Sequence, residues 1–120
     1  MENNQTSLLL RIYLSTTDRY KEGLLYERIV FKAKEKGLIG ATVLKGILGY
    51  GSSSIIHSYK LWELDEKLPA VIEIIDGEEK VKGFFELIKP LLESVRYGCL
   101  VTTEKIEIIL QKPGDKKGTM

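Results

Sequence analysis

The apolar residues from Leu8 to Ser15 fall on alternate positions: Leu8, Leu10, Ile12 and Leu14 share one face, and Leu9, Arg11, Tyr13 and Ser15 the other. A period of two is the signature of a strand buried on one side, and a one-residue slip would turn the whole apolar set to solvent. This strand restricts the rest of the chain, because something apolar has to cover Leu8 to Leu14. After the polar stretch Thr16 to Glu22, Leu25, Ile29 and Ala33 recur every four residues beside Tyr26 and Val30, and Gly37 follows a lysine-rich last turn. That spacing predicts a first helix with Gly37 as its C-cap. Ala41 to Leu48 is rich in β-formers and runs into Gly46, Gly49 and Gly51, which predicts a second strand that bends or approaches something closely as it ends.

Tyr50 to Leu68 has no clear period and is expected to be a long loop with at most one helical turn. Loops longer than roughly 12 residues in a compact domain are usually functional or disordered. Pro69 opens Ala70 to Asp76, whose Val71, Ile72, Ile74 and Ile75 predict a strand buried on both sides and central in its sheet. Val81, Phe84, Phe85, Ile88, Leu91 and Leu92 mark a second helix that begins after Gly77, with Glu78 and Glu79 in its first turn and Pro90 near its end. Cys99 to Leu110 alternates as a last strand or a bent pair. The expected order, β-α-β-β-α-β, is an α+β ferredoxin-like sandwich: an antiparallel sheet with two helices on one face, and strands one and three central. One domain is expected over 8–111, between a disordered N-terminus at 1–7 and a disordered tail at 112–120.

With 120 residues, 43% of them hydrophobic and 29% charged, the chain has the make-up of one ordinary globular domain. Eighteen basic and seventeen acidic residues leave a net charge of +1, so no overall field draws it to nucleic acid or to an anionic membrane. The single cysteine, Cys99, excludes an internal disulfide and favours a cytoplasmic setting. No apolar run approaches the about 20 residues of a membrane helix, so direct membrane insertion is not expected.

Several residues carry two readings. Gly46, Gly49 and Gly51 serve a bulge and turn, or let a ligand approach the backbone; no Gly-Lys-Ser/Thr follows to make a nucleotide-binding P-loop. His57 is the only histidine, so one chain cannot supply a multi-histidine metal site; it is expected on an exposed loop, within reach of a ligand or partner. Cys99 is expected as a small core residue. Arg11 and Glu73 should share the open sheet face as an ion pair. Lys82-Gly83-Phe84-Phe85 superficially matches an RNA-recognition aromatic motif, but these aromatics fall on a helical stripe rather than on an exposed sheet. Tyr50, Tyr59 and Trp62 are the candidates for exposed loop contacts. No Ser-His-Asp arrangement, metal cluster or paired carboxylates stand out, so the expectation is a binding protein, not an enzyme.

Read together and in order, several segments carry a resemblance. They are Leu25-Tyr26-Glu27, Gly37-Leu38-Ile39-Gly40-Ala41-Thr42-Val43, Gly46-Ile47-Leu48-Gly49-Tyr50-Gly51, His57, Leu68-Pro69-Ala70-Val71-Ile72-Glu73-Ile74-Ile75-Asp76 and Leu100-Val101-Thr102-Thr103-Glu104. The chain from Leu8 to Leu110 resembles the PII signalling superfamily, and more closely its PII-like family, a domain of unknown function. The resemblance implies a homotrimer with open sheet faces around a central axis and nucleotides in the clefts between subunits. A long loop after strand two would act on a partner protein, such as a membrane transporter or an enzyme. It further implies that Gly49 to Trp62 is that loop, and that Lys45, Gly46, Gly49, Tyr50, Gly51, His57 and Arg96 are ligand-facing. PII proteins proper have a glycine-rich basic loop between helix two and strand four, where this chain has only Glu93 to Gly98 with Arg96 as its one cation. An adenine nucleotide with few phosphates, AMP or ADP, is therefore the implied ligand rather than ATP, with no obligatory cofactor. The alternatives are a small ferredoxin-like enzyme and a divalent-cation tolerance protein.

Overall fold

The computed structural model describes residues 6–51, 67–114 and the backbone of 57–58. The strands are β1 (Ser7–Ser15), β2 (Arg19–Tyr20), β3 (Gly23–Leu24), β4 (Ala41–Lys45), β5 (Leu48–Gly49), β6 (His57–Ser58), β7 (Pro69–Gly77) and β8 (Leu100–Ile106). The helices are α1 (Leu25–Glu35) and α2 (Glu78–Glu93). The main sheet has the order β4-β7-β1-β8 and is antiparallel throughout. β2–β3 and β5–β6 form two small separate ribbons.

The period of β1 sets the two faces. Leu8, Leu10, Ile12 and Leu14 lie in one core with Ala70, Ile72 and Ile74 of β7, Leu25, Ile29 and Ala33 of α1, and Val81, Phe84, Ile88 and Leu92 of α2. Both helices thus cover the same side, as the order of elements predicts, and Phe84 is buried among helix and sheet residues. β7 is central, but it is not buried on both sides: Ala70, Ile72 and Ile74 are buried, whereas Val71 is half-buried and Ile75 is exposed. Its apolar run is split between the helix-covered face and an open one. No described helix is long and apolar enough to cross a membrane.

Helix ends follow local chemistry. Gly37 takes a φ of 78°, and the N–H groups of Gly37 and Leu38 donate to the carbonyls of Lys34 and Ala33, a Schellman closure that a residue with a Cβ would strain. Lys80 Nζ donates to the Gly37 carbonyl at 2.6 Å, tying this cap to α2. The Asp76 carboxylate accepts from the N–H of Ile39 at 3.0 Å and of Gly77 at 2.7 Å, joining the approach to β4 to the end of β7. Pro90 lies inside α2, which continues to Glu93 before Ser94 caps it through its hydroxyl to the Leu91 carbonyl.

Two strand boundaries also need correction. Strand two was expected to reach Leu48, but β4 stops at Lys45, and Leu48–Gly49 turns away to pair with His57–Ser58. The last strand ends at Ile106 instead of Leu110, leaving Ile109 and Leu110 exposed. The expected disordered ends fall largely on 1–5 and 115–120, outside the described residues, as does the single helical turn expected in the long loop.

Ile72 has no exposed surface and lies on the central strand under both helices. Ile72→Ala should destabilise the fold by about 2–5 kcal/mol in denaturant unfolding, through lost burial and the cavity left behind.

Candidate functional site

At the end of the sheet where β1 and β4 stop and β7 and β8 begin, residues from four connections meet. Gly46 donates its N–H to the Pro69 carbonyl at 2.7 Å, continuing the β4–β7 pairing by one bond beyond Lys45. A Cβ on Gly46 would lie 3.3 Å from the Pro69 ring, and one on Gly49 would lie 3.0 Å from Pro69 Cγ. The close approach expected of these glycines is therefore a seat on Pro69, which itself tolerates the first position of β7 because no ladder N–H is needed there. Gly51 has nothing within 4 Å of its would-be Cβ. Lys45 and Tyr50 are exposed, and His57 is placed by its backbone pairing with Gly49. Tyr59, Trp62 and the His57 side chain lie outside the described residues.

Arg96 sits in the turn between α2 and β8. The sheet order puts two strands between it and β4, a separation of about 14 Å at the usual inter-strand spacing. The gap is bridged by residues that sequence reasoning missed. Tyr97 carries Lys67 Nζ 3.4 Å from its ring centroid and the Arg96 guanidinium 5.5 Å from it. Lys67 is two residues from Pro69, so the chain itself links the seat of Gly46 and Gly49 on Pro69 to Tyr97 and Arg96. A lone lysine before a strand gives no signal of this kind in a sequence, since lysines are common there.

Asp18 lies close to Lys67. It is buried, its carboxylate accepts the Ser15 N–H at 2.9 Å, and its carbonyl accepts the Leu25 N–H that starts α1. The Ser15-Thr16-Thr17-Asp18 spacing is that of a side-chain-closed turn and could have revealed it. Burial pushes its carboxyl pKa up, against the opposing pull of the Ser15 N–H and of Lys67. Cys99 faces the same acid. Contrary to expectation it is exposed; it precedes the edge strand β8, where Leu100 is itself 58% exposed, and its thiol donates to the Leu92 carbonyl at the end of α2 at 3.9 Å. Partial burial, then the charge of Asp18, push its thiol pKa up, which keeps it protonated and a poor nucleophile.

The open face of the sheet is ordered in rows. Leu44, Val71, Tyr13 and Leu100 are in register across all four strands, next to a row of Thr42, Glu73, Arg11 and Thr102. The expected Arg11–Glu73 pair is present at 3.0 Å, and Arg11 also reaches diagonally to Glu104 at 3.1 Å. An open groove of about 620 Å³ lies elsewhere, between the β2–β3 ribbon and α1, and none of the ligand-facing residues implied by the resemblance line it.

Residues 7–108 match the family model DUF190, described as "Uncharacterized ACR, COG1993". The chain is a DUF190 protein. This DUF190 chain is 43% identical over 101 residues to a UPF0166 protein of Aquifex aeolicus, covering 84% of this chain and 91% of that one. Its fold is similar to that of CPII, a nitrogen regulatory PII-like protein from Thiomonas intermedia K12 solved with ADP, AMP and bicarbonate. There the TM-score is 0.60 at 19% identity, over 84% of this chain and 88% of that one. It is also similar to the divalent ion tolerance protein CutA1 from Ehrlichia chaffeensis, with a TM-score of 0.54 at 16% identity over 96% and 90% of the two chains. At these identities the likeness to the solved structures is one of fold. The expected family of uncharacterised proteins and the expected ferredoxin-like sandwich both hold, and the fold is the one PII-like proteins have.

If Pro69 is what requires glycine at position 49, Gly49→Ala should destabilise by about 1–3 kcal/mol while Gly51→Ala stays within about 0.5 kcal/mol. The penalty at Gly49 should shrink in a Pro69→Ala background, and a double-mutant cycle of unfolding free energies checks this. Asp18 gives a second expectation. A carboxyl whose folded pKa is raised binds its proton more tightly in the native state, so its contribution is fully favourable below the unfolded value and is lost as pH rises towards the folded one. Asp18→Asn, which keeps an oxygen for the Ser15 N–H, should remove that fall from the acid limb of the stability profile.

Proposed function

We propose that this protein is a PII-like regulator, not an enzyme, that binds an adenine nucleotide, AMP or ADP, at the end of its sheet and acts on a partner protein through the loop after β4. The observation that carries the reading is the gathering of an exposed aromatic ring, Tyr97, and two cations, Lys67 and Arg96, beside the root of that loop. Cations suit a phosphate, and an aromatic face suits a base. That CPII was solved with ADP and AMP agrees with this ligand class.

The assembly in this reading is a cytoplasmic homotrimer. Its open faces meet at the axis, covering the apolar row of Leu44, Val71, Tyr13 and Leu100, and the Arg11, Glu73 and Glu104 charges enter the interface already paired. The ligand then lies in the cleft between the β4 end of one copy and its neighbour. Nucleotide binding acts by its different affinity for two arrangements of the loop, which is all that any ligand-driven switch requires. The tip of that loop lies outside the described residues; its two roots, at Gly46–Gly51 and Lys67–Pro69, meet where Gly46 and Gly49 sit on Pro69.

Calorimetry against AMP, ADP and ATP, with molar mass from light scattering on the same sample, tests the reading. Micromolar binding of AMP or ADP, weaker binding of ATP and one site per chain of a trimer are expected. Absence of adenine nucleotide binding would overturn the nucleotide reading. Binding of divalent copper or zinc in its place would point to the divalent-cation alternative, and turnover of the bound nucleotide to an enzyme.

A further inference from the structure

The groove of about 620 Å³ between the β2–β3 ribbon and α1 takes no part in the function proposed above. Part of its lining is apolar: Leu24 at the start of α1, Phe31 two turns further on, and Leu91 of α2. Phe31 is 67% exposed, a large ring on the side of a helix that polar residues normally occupy. The cations of the groove are sorted into one row. Arg28 and Lys32 line it one turn apart and Lys36 continues their spacing, a like-charge series that weakens a helix taken alone. On the ribbon, Tyr20 carries the Arg28 guanidinium 5.9 Å from its ring centroid and the Lys21 ammonium at 5.4 Å. Gly23 admits Arg28 to this seat, since a Cβ there would lie 3.1 Å from Arg28 Nε. Lys21 forms the turn of the ribbon at a φ of 56°, a left-handed position that glycine fills without strain, so a cation is kept there against the preference of the backbone.

Among the described residues no carboxylate lies within ion-pair distance of Lys21, Arg28 or Lys32. Glu27 and Glu35 also line the groove, but at four-residue spacing from Phe31, in its row and not in that of the cations. Residues 19–36 hold six basic and three acidic side chains, an excess of three in a chain whose whole excess is one. We infer that this groove is a docking site for an acidic segment of a partner protein, which packs a large apolar residue on Phe31 and sets its carboxylates against Lys21, Arg28 and Lys32. The charge of the occupant follows from the local excess of cations. Its form follows from the two walls: a ribbon and a helix of about 16 Å suit an extended or helical peptide, whereas a flat bilayer does not enter between them. Arg28 and Lys21 already rest on Tyr20, so less freedom is lost when they bind. Glu27 and Glu35 repel a tail that is acidic throughout and so select a segment whose charges match one row. The site needs neither a nucleotide nor the loop after β4, and it stands or falls apart from the reading above.

The test is a selection of displayed random short peptides on the immobilised full chain. Enriched sequences should be rich in Asp and Glu and carry at least one Leu, Phe or Trp, and a synthetic copy should bind more weakly as salt rises. Reversing two charges together, Arg28→Glu with Lys32→Glu, should weaken that binding about tenfold or more. Phe31→Ser should weaken it about fivefold or more. Unchanged unfolding midpoints of the variants would show that the loss is not one of folding. Enrichment without an acidic bias, or of peptides that bind these variants as well as the wild type, would overturn the proposal. A selection that enriches nothing overturns it as well; sedimentation with phosphatidylserine vesicles, lost on the double charge reversal, would then assign the patch to a membrane surface.

Discussion

β1 has no free edge. All nine of its residues pair with β7 on one side, and Ser7 to Tyr13 pair with β8 on the other, so its register fixes which side chains of both neighbours share each face. Given the alternation of Leu8, Leu10, Ile12 and Leu14, the helix-covered face then also contains Ala70, Ile72 and Ile74, and the open face receives Val71, Glu73 and Ile75. A slip of β1 by one residue would turn Arg11 beneath α1 and α2, where its charge would be taken out of water, and leave Glu73 on the open face without its partner. The position of the ion pair on the open face and the formation of the core are consequences of the same register. Leu9 shows how tightly this works: it lies on the open face, yet it is buried, flanked in register by Ile75 on one side and Glu104 on the other.

That architecture was legible in the residues because its signals are local and periodic. The four-residue spacing of Leu25, Ile29 and Ala33, the Gly37 cap and the stripe from Val81 to Leu92 each point to one element, and their order leaves few ways to stack them. The errors arose where a local pattern met an edge. Val71 and Ile75 look like core residues in a run of isoleucines, but whether a face is covered is decided by which side the helices take. Cys99 and Leu100 look like the start of a buried strand, but β8 is the outermost strand and its start is exposed. The β-formers Ile47 and Leu48 continue the pattern of β4, while the turn onto Pro69 ends it.

The candidate site was legible in halves. Gly46, Gly49 and Gly51 announce a special backbone, and Arg96 stands out as the one cation in its turn. What joins them is Lys67 on Tyr97, a contact between residues 30 positions apart that no spacing rule predicts. The Arg11–Glu104 bond was missed for the same reason, since it is diagonal across β1 and β8 and depends on a register that only the folded sheet defines.

The fold by itself does not choose a function, since a PII-like protein and a divalent ion tolerance protein both share it at similar TM-scores of 0.60 and 0.54. The choice rests on the chemistry at one end of the sheet. Gly46 and Gly49 are explained by Pro69 without any ligand, so their presence alone is no argument for a binding site. The cations are different. Among the described residues Lys67 and Arg96 sit on one ring without a carboxylate at ion-pair distance, although the chain as a whole carries almost equal numbers of acidic and basic residues. A protein with a net charge of +1 has acids available to neutralise such a pair, as Glu73 and Glu104 do for Arg11 on the open face. Two charge arrangements in one small domain, one closed on itself and one left open beside the root of a long loop, fit a face meant for another copy of the chain and a corner meant for an anion.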